Sequence, residues 1–289
     1  MKASFQLPAL LAGVLAVTAA GEPGPLNVLK SNGGWCWFQD ERALVAGDEL
    51  VLGSLAGTDR AGSVRGDVEA TAINLRTGLR RTFKLHPQLE CDDHAAPALL
   101  ALADGRLLAT YQSHGRDTLM RWRRTFRPGD ISAWSEEATL PVGAPVSYSN
   151  PFRLGAEGGR VHEIAHAGRR LYAGEDDYTG LGALDPQQPN QVFISTDAHP
   201  VTGVPLVSAA DGLRHWEIFR GTNTAAGSAW DWTPVTHDSA TDHLRPIVPV
   251  WPGAAGRQVV LWLRGSYRSY TDYDLDVVGL LPAGVSPRP

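Results

Sequence analysis

The segment Leu99-Leu100-Ala101-Leu102-Ala103-Asp104-Gly105-Arg106-Leu107-Leu108 has the pattern of a β-hairpin. Two short apolar runs flank the pair Asp104-Gly105. An Asp-Gly pair between apolar runs is a strong signal for a tight turn that joins antiparallel strands. We therefore predict a strand, a tight turn and a returning strand in this part of the 289-residue chain.

The same alternation of short apolar runs and turn residues continues along the chain. The stretch Val259 to Leu263, followed by Tyr267 to Leu280, fits a second hairpin. Glycine (31) and proline (20) together make up about a sixth of the residues, which is typical of proteins built from short strands and many turns. Outside the N-terminal segment, no stretch of a dozen residues has helical periodicity. The sequence therefore predicts an all-β fold.

Two turn motifs favour a β-propeller over a β-sandwich. Ser195-Thr196-Asp197 resembles the opening of an Asp-box turn, and Arg124-Thr125-Phe126 leading to Ile131-Ser132-Ala133-Trp134 resembles another. A propeller blade of four strands takes about 40 residues or more. We predict a single propeller domain over residues 21–289, with room for about six blades, or seven if several are trimmed.

Residues 1–20 have the three parts of a secretory signal. Met1-Lys2 provides the positive start, Leu7 to Val17 the apolar centre, and Thr18-Ala19-Ala20 the small-residue end. The apolar run is too short to span a bilayer. We expect cleavage near Ala20 and a secreted or periplasmic protein that does not associate with a membrane.

The charge pattern argues against a nucleic-acid partner. The formal net charge is −5, so no overall attraction to phosphate exists. The basic cluster Arg121, Arg123, Arg124 and Arg127 is short and fits a solvated strand and turn better than a phosphate-binding track. We expect a monomer.

The chain has two cysteines, Cys36 and Cys91. They could pair in an oxidising compartment, or they could be two buried free thiols in neighbouring strands. Neither has a second cysteine or a histidine at the usual close ligand spacing, except for His94. We therefore expect no metal centre built on the cysteines and no cofactor; the question of a structural metal ion stays open.

Two histidines lie at the open end of the first predicted hairpin. Glu90-Cys91-Asp92-Asp93-His94 directly precedes its first strand, and Tyr111-Gln112-Ser113-His114-Gly115-Arg116-Asp117 ends its second. A hairpin would place His94 and His114 on the same side of the sheet, where two titratable groups can act on one substrate. The alternative is that each is only a hydrogen-bonded residue at a strand end.

Five segments resemble the motifs of the BNR-4 family, in the family's order and over nearly all of the mature chain. They are Gly34-Trp35-Cys36-Trp37-Phe38-Gln39-Asp40-Glu41-Arg42-Ala43, Asp92-Asp93-His94-Ala95-Ala96-Pro97-Ala98, Tyr148-Ser149-Asn150-Pro151, Thr196-Asp197-Ala198-His199-Pro200, and Leu263-Arg264-Gly265-Ser266-Tyr267 continuing to Ser269-Tyr270-Thr271-Asp272-Tyr273-Asp274. The resemblance implies a propeller, which is seven-bladed in the family's ulvan lyases. A related group in the family hydrolyses rhamnosyl–glucuronate linkages.

The resemblance also implies a set of site residues. In the lyases two histidines, a tyrosine and an arginine act on a uronic-acid unit, and the matching positions here are His94, His114 and Tyr148. The arginine expected about one hairpin later is absent; His166 lies in that stretch, with Arg169 close by. The predicted substrate-binding residues are Asn150, His166, Arg169, Arg264 and Tyr267. Of the tyrosines at 267, 270 and 273, we expect one to reach the substrate and the others to pack.

These features predict a secreted polysaccharide lyase that cleaves uronate-containing, ulvan-like chains by β-elimination. Elimination removes the proton next to the carboxylate, which must be neutralised by an arginine, a protonated histidine or a metal. A tyrosine or histidine then acts as base, and a tyrosine can protonate the leaving oxygen. Two alternatives stay open: a non-catalytic propeller that binds carbohydrate or protein, and a histidine-dependent glycoside hydrolase. Paired carboxylates for hydrolysis are available in Asp92-Asp93 and Glu175-Asp176-Asp177.

Overall fold

The computed structural model describes residues 26–36, 42–151, 182–223, 230–253 and 256–289. In these ranges the regular elements are β-strands and one short 3-10 turn, Asp93–Ala95. The strands up to residue 141 are β1 (Asn27–Lys30), β2 (Ala43–Ala46), β3 (Glu49–Leu55), β4 (Val68–Asn74), β5 (Arg80–His86), β6 (Ala98–Ala101), β7 (Leu107–Tyr111), β8 (Leu119–Arg127), β9 (Asp130–Trp134) and β10 (Ala138–Pro141). The later strands are β11 (Gly182–Leu184), β12 (Gln191–Thr196), β13 (Glu217–Asn223), β14 (Trp230–Pro234), β15 (Asp242–Ile247), β16 (Val260–Ser269) and β17 (Asp272–Leu280).

The strands form four sheets, each built largely from strands that follow one another in the chain. The sheet orders are β2-β3-β4-β5, then β10-β8-β7-β6 with β9 beside β8, then β11-β12-β13-β14, and finally β1-β17-β16-β15. The last sheet takes its outer strand from the start of the described chain, because β1 pairs antiparallel with β17. Successive antiparallel sheets of four or five strands, with such a closure between the first and last strands, are the architecture of a β-propeller. The predicted all-β propeller fold is confirmed, whereas the blade number stays a prediction because residues 152–181 lie outside the described ranges.

The first predicted hairpin forms as expected. β6 and β7 pair antiparallel, with Ala98 opposite Thr110 and Ala101 opposite Leu107. The turn closes with a hydrogen bond from the Gly105 backbone N–H to the Leu102 carbonyl (2.9 Å), and Gly105 has a φ of +79°. A positive φ is readily adopted only by glycine, so the Asp-Gly pair sets this turn.

The second predicted hairpin also forms, but its turn lies further along the chain. β16 does not end near Leu263; it runs on to Ser269 and turns at Tyr270-Thr271 into β17. Gly265 lies inside β16 with a φ of +142°, which glycine readily adopts, and stays paired with Leu275. The apolar run therefore ends before the strand does.

Neighbouring sheets pack through buried apolar side chains. One core cluster joins the first, second and fourth sheets and includes Leu50, Leu99 and Leu263. A smaller cluster joins the third and fourth sheets and includes Phe193 and Trp262. None of the helical structure in the described ranges is long and apolar enough to cross a membrane.

Both cysteines are free thiols: Cys36 is fully buried and Cys91 is partly exposed. Of the two alternatives open from the sequence, the disulfide is therefore not formed. Cys36 lies in the segment after β1, and Cys91 directly precedes the turn that carries His94.

Candidate functional site

His94 and His114 come together at the open end of the β6–β7 hairpin. His94 lies in the 3-10 turn just before β6, and His114 lies three residues beyond the end of β7. Their imidazole rings stack with centroids 4.0 Å apart and an angle of 27° between planes. Hairpin pairing explains this proximity, since it places the start of β6 beside the end of β7.

Asp92 fixes the orientation of the His94 ring. As the N-cap of the 3-10 turn, its Oδ1 accepts a hydrogen bond from the His94 backbone N–H (3.0 Å) and lies 2.5 Å from Nδ1 of the same residue. A side-chain oxygen at this position satisfies an N–H group that the turn itself leaves without a partner. Oδ1 of Asp93 lies 3.2 Å from the same ring nitrogen. Two carboxylates therefore face Nδ1 of His94.

These carboxylates keep His94 positively charged. Burial, the largest single influence, favours the neutral imidazole, but hydrogen bonds with Asp92, Asp93 and Cys36 outweigh it and raise the pKa of His94 to about 12. The side chain is only 7% exposed. At neutral pH the site therefore holds a fixed imidazolium ion stacked on His114.

Asp93 connects His94 to a second buried cation, Arg245 of β15. Oδ2 of Asp93 accepts hydrogen bonds from Nη1 of Arg245 (3.0 Å) and from the hydroxyl of Tyr267 (3.1 Å). The Arg245 guanidinium, itself fully buried, lies 4.1 Å from the centroid of the Tyr267 ring. Among these groups, two negative charges on Asp92 and Asp93 face two positive charges, so the cluster is balanced only while His94 keeps its proton.

Arg245 is the main residue that sequence reasoning missed. The available signal was an arginine inside the short strand Asp242–Ile247, a position where a charged residue needs a buried partner. Tyr267, predicted to bind substrate, packs against Arg245 and donates to Asp93. Burial, together with the nearby Asp93 carboxylate, raises the pKa of the Tyr267 hydroxyl well above its usual value. The Tyr267 hydroxyl therefore helps to hold the Asp93 carboxylate in position.

Two hydrogen bonds fix His114, one at its ring and one at its backbone N–H. Nδ1 of the ring lies 2.7 Å from Oγ of Ser147, in a hydrogen bond whose direction depends on the tautomer. The backbone N–H of His114 donates to Oε1 of Glu90, and burial raises the pKa of that carboxyl. Glu90 is 5% exposed and lies 3.8 Å from the Arg116 guanidinium. The ring is thus held at Nδ1.

Tyr148 completes a group of three rings. Its ring lies 5.1 Å from that of His94 and 6.0 Å from that of His114, edge-on to both. Burial raises the pKa of the Tyr148 hydroxyl, although the His94 charge acts in the opposite direction. The hydroxyl therefore keeps its proton at neutral pH. The structure brings together all three residues predicted to be catalytic.

Asn150, predicted to bind substrate, lies two residues after Tyr148, and its Oδ1 accepts a hydrogen bond from the buried Arg42 (3.5 Å). Tyr270 is half exposed and lies edge-on to His94, with ring centroids 5.7 Å apart. Its carbonyl accepts from the Asp93 backbone N–H (2.9 Å). Of the three tyrosines considered from the sequence, Tyr270 is the one that lies open beside the site.

Of the remaining predicted substrate-binding residues, the structure places only Arg264, and it is not part of this group. Arg264 lies an odd number of residues from Tyr267 along β16, so it faces the opposite side of the sheet. There it pairs with Asp276 (3.4 Å). His166 and Arg169 lie outside the described residues, and the same is true of the carboxylates Glu175-Asp176-Asp177.

Two overlapping sets of side chains could hold a metal ion. Cys36, Asp93 and His94 offer ligand atoms within 4.8 Å of one another, and Asp92, His94 and His114 do the same. In the structure the contact between Asp92 and His94 has the length of a hydrogen bond, 2.5 Å. A metal bound at Nδ1 of His94 would take the place of the proton that makes this bond.

Comparison with known proteins gives similarity to solved structures only. No family model matches the chain, and no curated protein matches it. An ulvan lyase of the polysaccharide lyase family PL25, solved with a bound GlcA–Rha3S saccharide, is 12% identical with a TM-score of 0.34, over 83% of this chain and 49% of that one. The chain thus spans about half the length of that lyase.

Two other solved structures are similar at comparable levels. The GH43 protein BlXynB from Bacillus licheniformis is 8% identical with a TM-score of 0.39, over 91% of this chain and 58% of that one. The NanB sialidase from Streptococcus pneumoniae is 10% identical with a TM-score of 0.26, over 84% of this chain and 30% of that one.

Proposed function

We propose that this chain is a secreted or periplasmic polysaccharide lyase that cleaves uronate-containing, ulvan-like chains by β-elimination. The observation that carries the proposal is the convergence of His94, His114 and Tyr148, whose ring centroids lie 4.0, 5.1 and 6.0 Å apart in pairs. Elimination needs a cation, a base and an acid within reach of one sugar unit. In this proposal His94 is the cation, His114 the base and Tyr148 the acid.

His94 is the group that neutralises the uronate carboxylate. A neutralised carboxylate can accept the negative charge that develops when the neighbouring C5 proton leaves. The chain lacks the arginine that the family resemblance implies, and the imidazolium of His94, with its pKa raised to about 12, supplies a permanent positive charge in its place. Asp92 and Asp93 hold the proton on Nδ1 and so keep the ring charged.

His114 and Tyr148 carry out the proton transfers. Nε2 of His114 takes the C5 proton, the electron pair of that C–H bond forms the C4–C5 double bond, and the bond between C4 and the glycosidic oxygen breaks. Tyr148 gives its phenolic proton to the departing oxygen. The raised pKa of Tyr148 suits this role, because the residue is protonated at the start of the reaction. Proton return from His114 to Tyr148 restores both residues.

The arrangement of Asp92 and Asp93 favours elimination over hydrolysis by this carboxylate pair. A glycosidase needs one carboxylic acid and one carboxylate that both face the glycosidic bond. Here the oxygens of Asp92 and Asp93 lie against His94, Arg245 and Tyr267. Both carboxylates are therefore engaged in holding cations.

A two-signal assay tests the proposal. Purified protein is incubated with ulvan and with other uronate polysaccharides, and the ultraviolet absorbance of unsaturated uronates is followed together with new reducing ends. We expect both signals to rise at the same rate. New reducing ends without absorbance would mean hydrolysis, and binding without either signal would support the non-catalytic alternative.

A further inference from the structure

We propose that Gln112 is a positioning residue that holds Tyr148 against the two histidines; this inference rests on the proposed function. The Gln112 side chain is 2% exposed. Its hydrogen-bond partners fix the orientation of the amide. The amide oxygen accepts from the backbone N–H groups of Tyr148 (2.6 Å) and Ser149 (2.8 Å), and the amide nitrogen donates to Oγ of Ser149.

The backbone of Tyr148 needs such support. Tyr148 has a φ of +61°, in the left-handed region that aromatic residues seldom adopt. A conformation of this kind is strained and persists only where the surroundings impose it. Here the conformation is imposed by the backbone N–H groups of Tyr148 and Ser149, which both donate to the buried amide oxygen of Gln112. Gln112 thus compensates for the strain at the residue that protonates the leaving group.

Neighbouring contacts hold the same segment from both sides. Oγ of Ser147 bonds to the ring of His114 (2.7 Å), and Oδ1 of Asn150 accepts from Arg42 (3.5 Å). The backbone N–H of Gly115 donates to the Val146 carbonyl (3.1 Å). Gln112 and His114 therefore lie on the same short segment after β7. Their contacts with residues 147–149 align Tyr148 with His114.

Gln112 acts through Tyr148 and has no proton-transfer role of its own. If its acceptor is removed, Tyr148 can relax to a negative φ, which redirects the ring away from His94. Misplacement of a catalytic group by about 1 Å can lower turnover by about a hundredfold. The effect should fall on kcat, because a group that acts only in the transition state contributes little to substrate binding.

Two variants of Gln112 and one matched control test this inference. Gln112→Leu removes the acceptor with little change in size. Gln112→Glu keeps an acceptor for both N–H groups, and Oγ of Ser149 can donate to it. Asn32→Leu is the control: Asn32 is also fully buried, and its Oδ1 also accepts from two successive backbone N–H groups, those of Gly57 and Thr58 (3.1 Å each).

We expect Gln112→Leu to lower kcat by about a hundredfold with KM nearly unchanged, and Gln112→Glu to keep most of the wild-type kcat. Asn32→Leu should lower the melting temperature at least as much as Gln112→Leu, but leave kcat close to wild type. Equal loss of kcat in both leucine variants, or wild-type kcat in Gln112→Leu, would overturn the positioning role.

A second measurement separates this inference from the proposed function. Fluorotyrosine is incorporated, and the 19F signal of Tyr148 is assigned as the one missing in Tyr148→Phe. The signal should shift towards that of an exposed tyrosine in Gln112→Leu and stay in place in Gln112→Glu and Asn32→Leu. This result is expected even if the wild-type protein cleaves no polysaccharide, in which case only the lyase function fails. An unmoved signal in Gln112→Leu would refute the positioning role whatever the activity.

Discussion

Arg245 donates a hydrogen bond from Nη1 to Oδ2 of Asp93, 3.0 Å away, and both side chains are at most 1% exposed. The two residues belong to distant parts of the chain, β15 and the turn before β6. Asp93 also faces His94, so this ion pair holds the carboxylate that contacts the His94 ring. A buried ion pair that is broken on one side leaves an uncompensated charge.

Replacement of Arg245 by methionine should therefore destabilise the protein strongly. Removing one partner of a buried pair costs about 3–5 kcal/mol. Urea unfolding followed by tryptophan fluorescence measures the loss. The double variant Arg245→Met with Asp93→Asn should lose less than the sum of the two single variants, because no unpaired charge stays buried. Arg268→Ala is the control: it breaks an exposed pair with Asp272, and the unfolding midpoint should barely change.

The free thiols can be counted directly. In the native protein a thiol reagent should modify Cys91, which is partly exposed, and leave the fully buried Cys36 unreacted. In denaturant without reductant, both should react. Mass spectrometry of the labelled peptides distinguishes the two positions. A protein that shows no reactive thiol in denaturant would contain the disulfide that this structure lacks.

The sequence was sufficient for features that depend on local chemistry. The Asp-Gly turn between apolar runs predicted the β6–β7 hairpin, and the hairpin alone was enough to bring His94 and His114 to one place. The predicted end of β16 near Leu263 was wrong because Gly265 continues the strand, paired with Leu275, at a φ of +142° that glycine readily adopts.

Features that depend on tertiary contacts were beyond the sequence. The position of Arg245 inside a short strand indicates that it needs a buried partner but not which one, since Asp93 is 152 residues away. The side of the sheet on which Tyr267 and Tyr270 lie could not be predicted either, because it depends on the position of the β16–β17 turn. The positive charge on His94 was beyond the sequence for a similar reason. The raised pKa of His94 comes from the way Asp92 and Asp93 fold back onto the ring.

Substitution of the two proton-transfer residues should abolish elimination without loss of the fold. His114→Ala and Tyr148→Phe should each lower kcat by a hundredfold or more, in line with the roughly 10²–10⁴-fold contribution of a positioned acid or base. His237→Ala is the matched control, because the His237 side chain is 75% exposed and lies in the connection between β14 and β15. Circular dichroism verifies folding. Unchanged turnover in His114→Ala would remove His114 from the mechanism.

Tyr270 should contribute to substrate binding and not to chemistry. Its ring is 49% exposed and lies edge-on to His94, where a sugar ring bound at the site could contact it. We expect Tyr270→Ala to raise KM several-fold with kcat largely unchanged, and Tyr270→Phe to behave like wild type. Steady-state kinetics on one uronate polysaccharide is sufficient. A selective fall in kcat would instead place the Tyr270 hydroxyl in the reaction.

The stability of the fold should decrease as the pH rises above neutrality, and His94 should account for much of the decrease. Its pKa is raised from 6.5 to about 12 in the folded state. The stabilisation is therefore complete below about pH 6.5 and is lost as the pH rises towards 12, because the unfolded chain has already released the proton. The slope from this one group is at most about 1.4 kcal/mol per pH unit.

Urea unfolding of the wild type and of His94→Asn, measured at intervals from about pH 7 to about pH 10, isolates the contribution of His94. The wild type should lose stability faster than the variant over this range, because only the wild type has the imidazolium to lose. Asp92→Asn should fall between the two, since it removes the hydrogen bond that raises the pKa most but leaves Asp93 in place. Parallel curves for all three proteins would mean that His94 is not charged in the folded state, and the neutralisation of the uronate carboxylate would then need another cation.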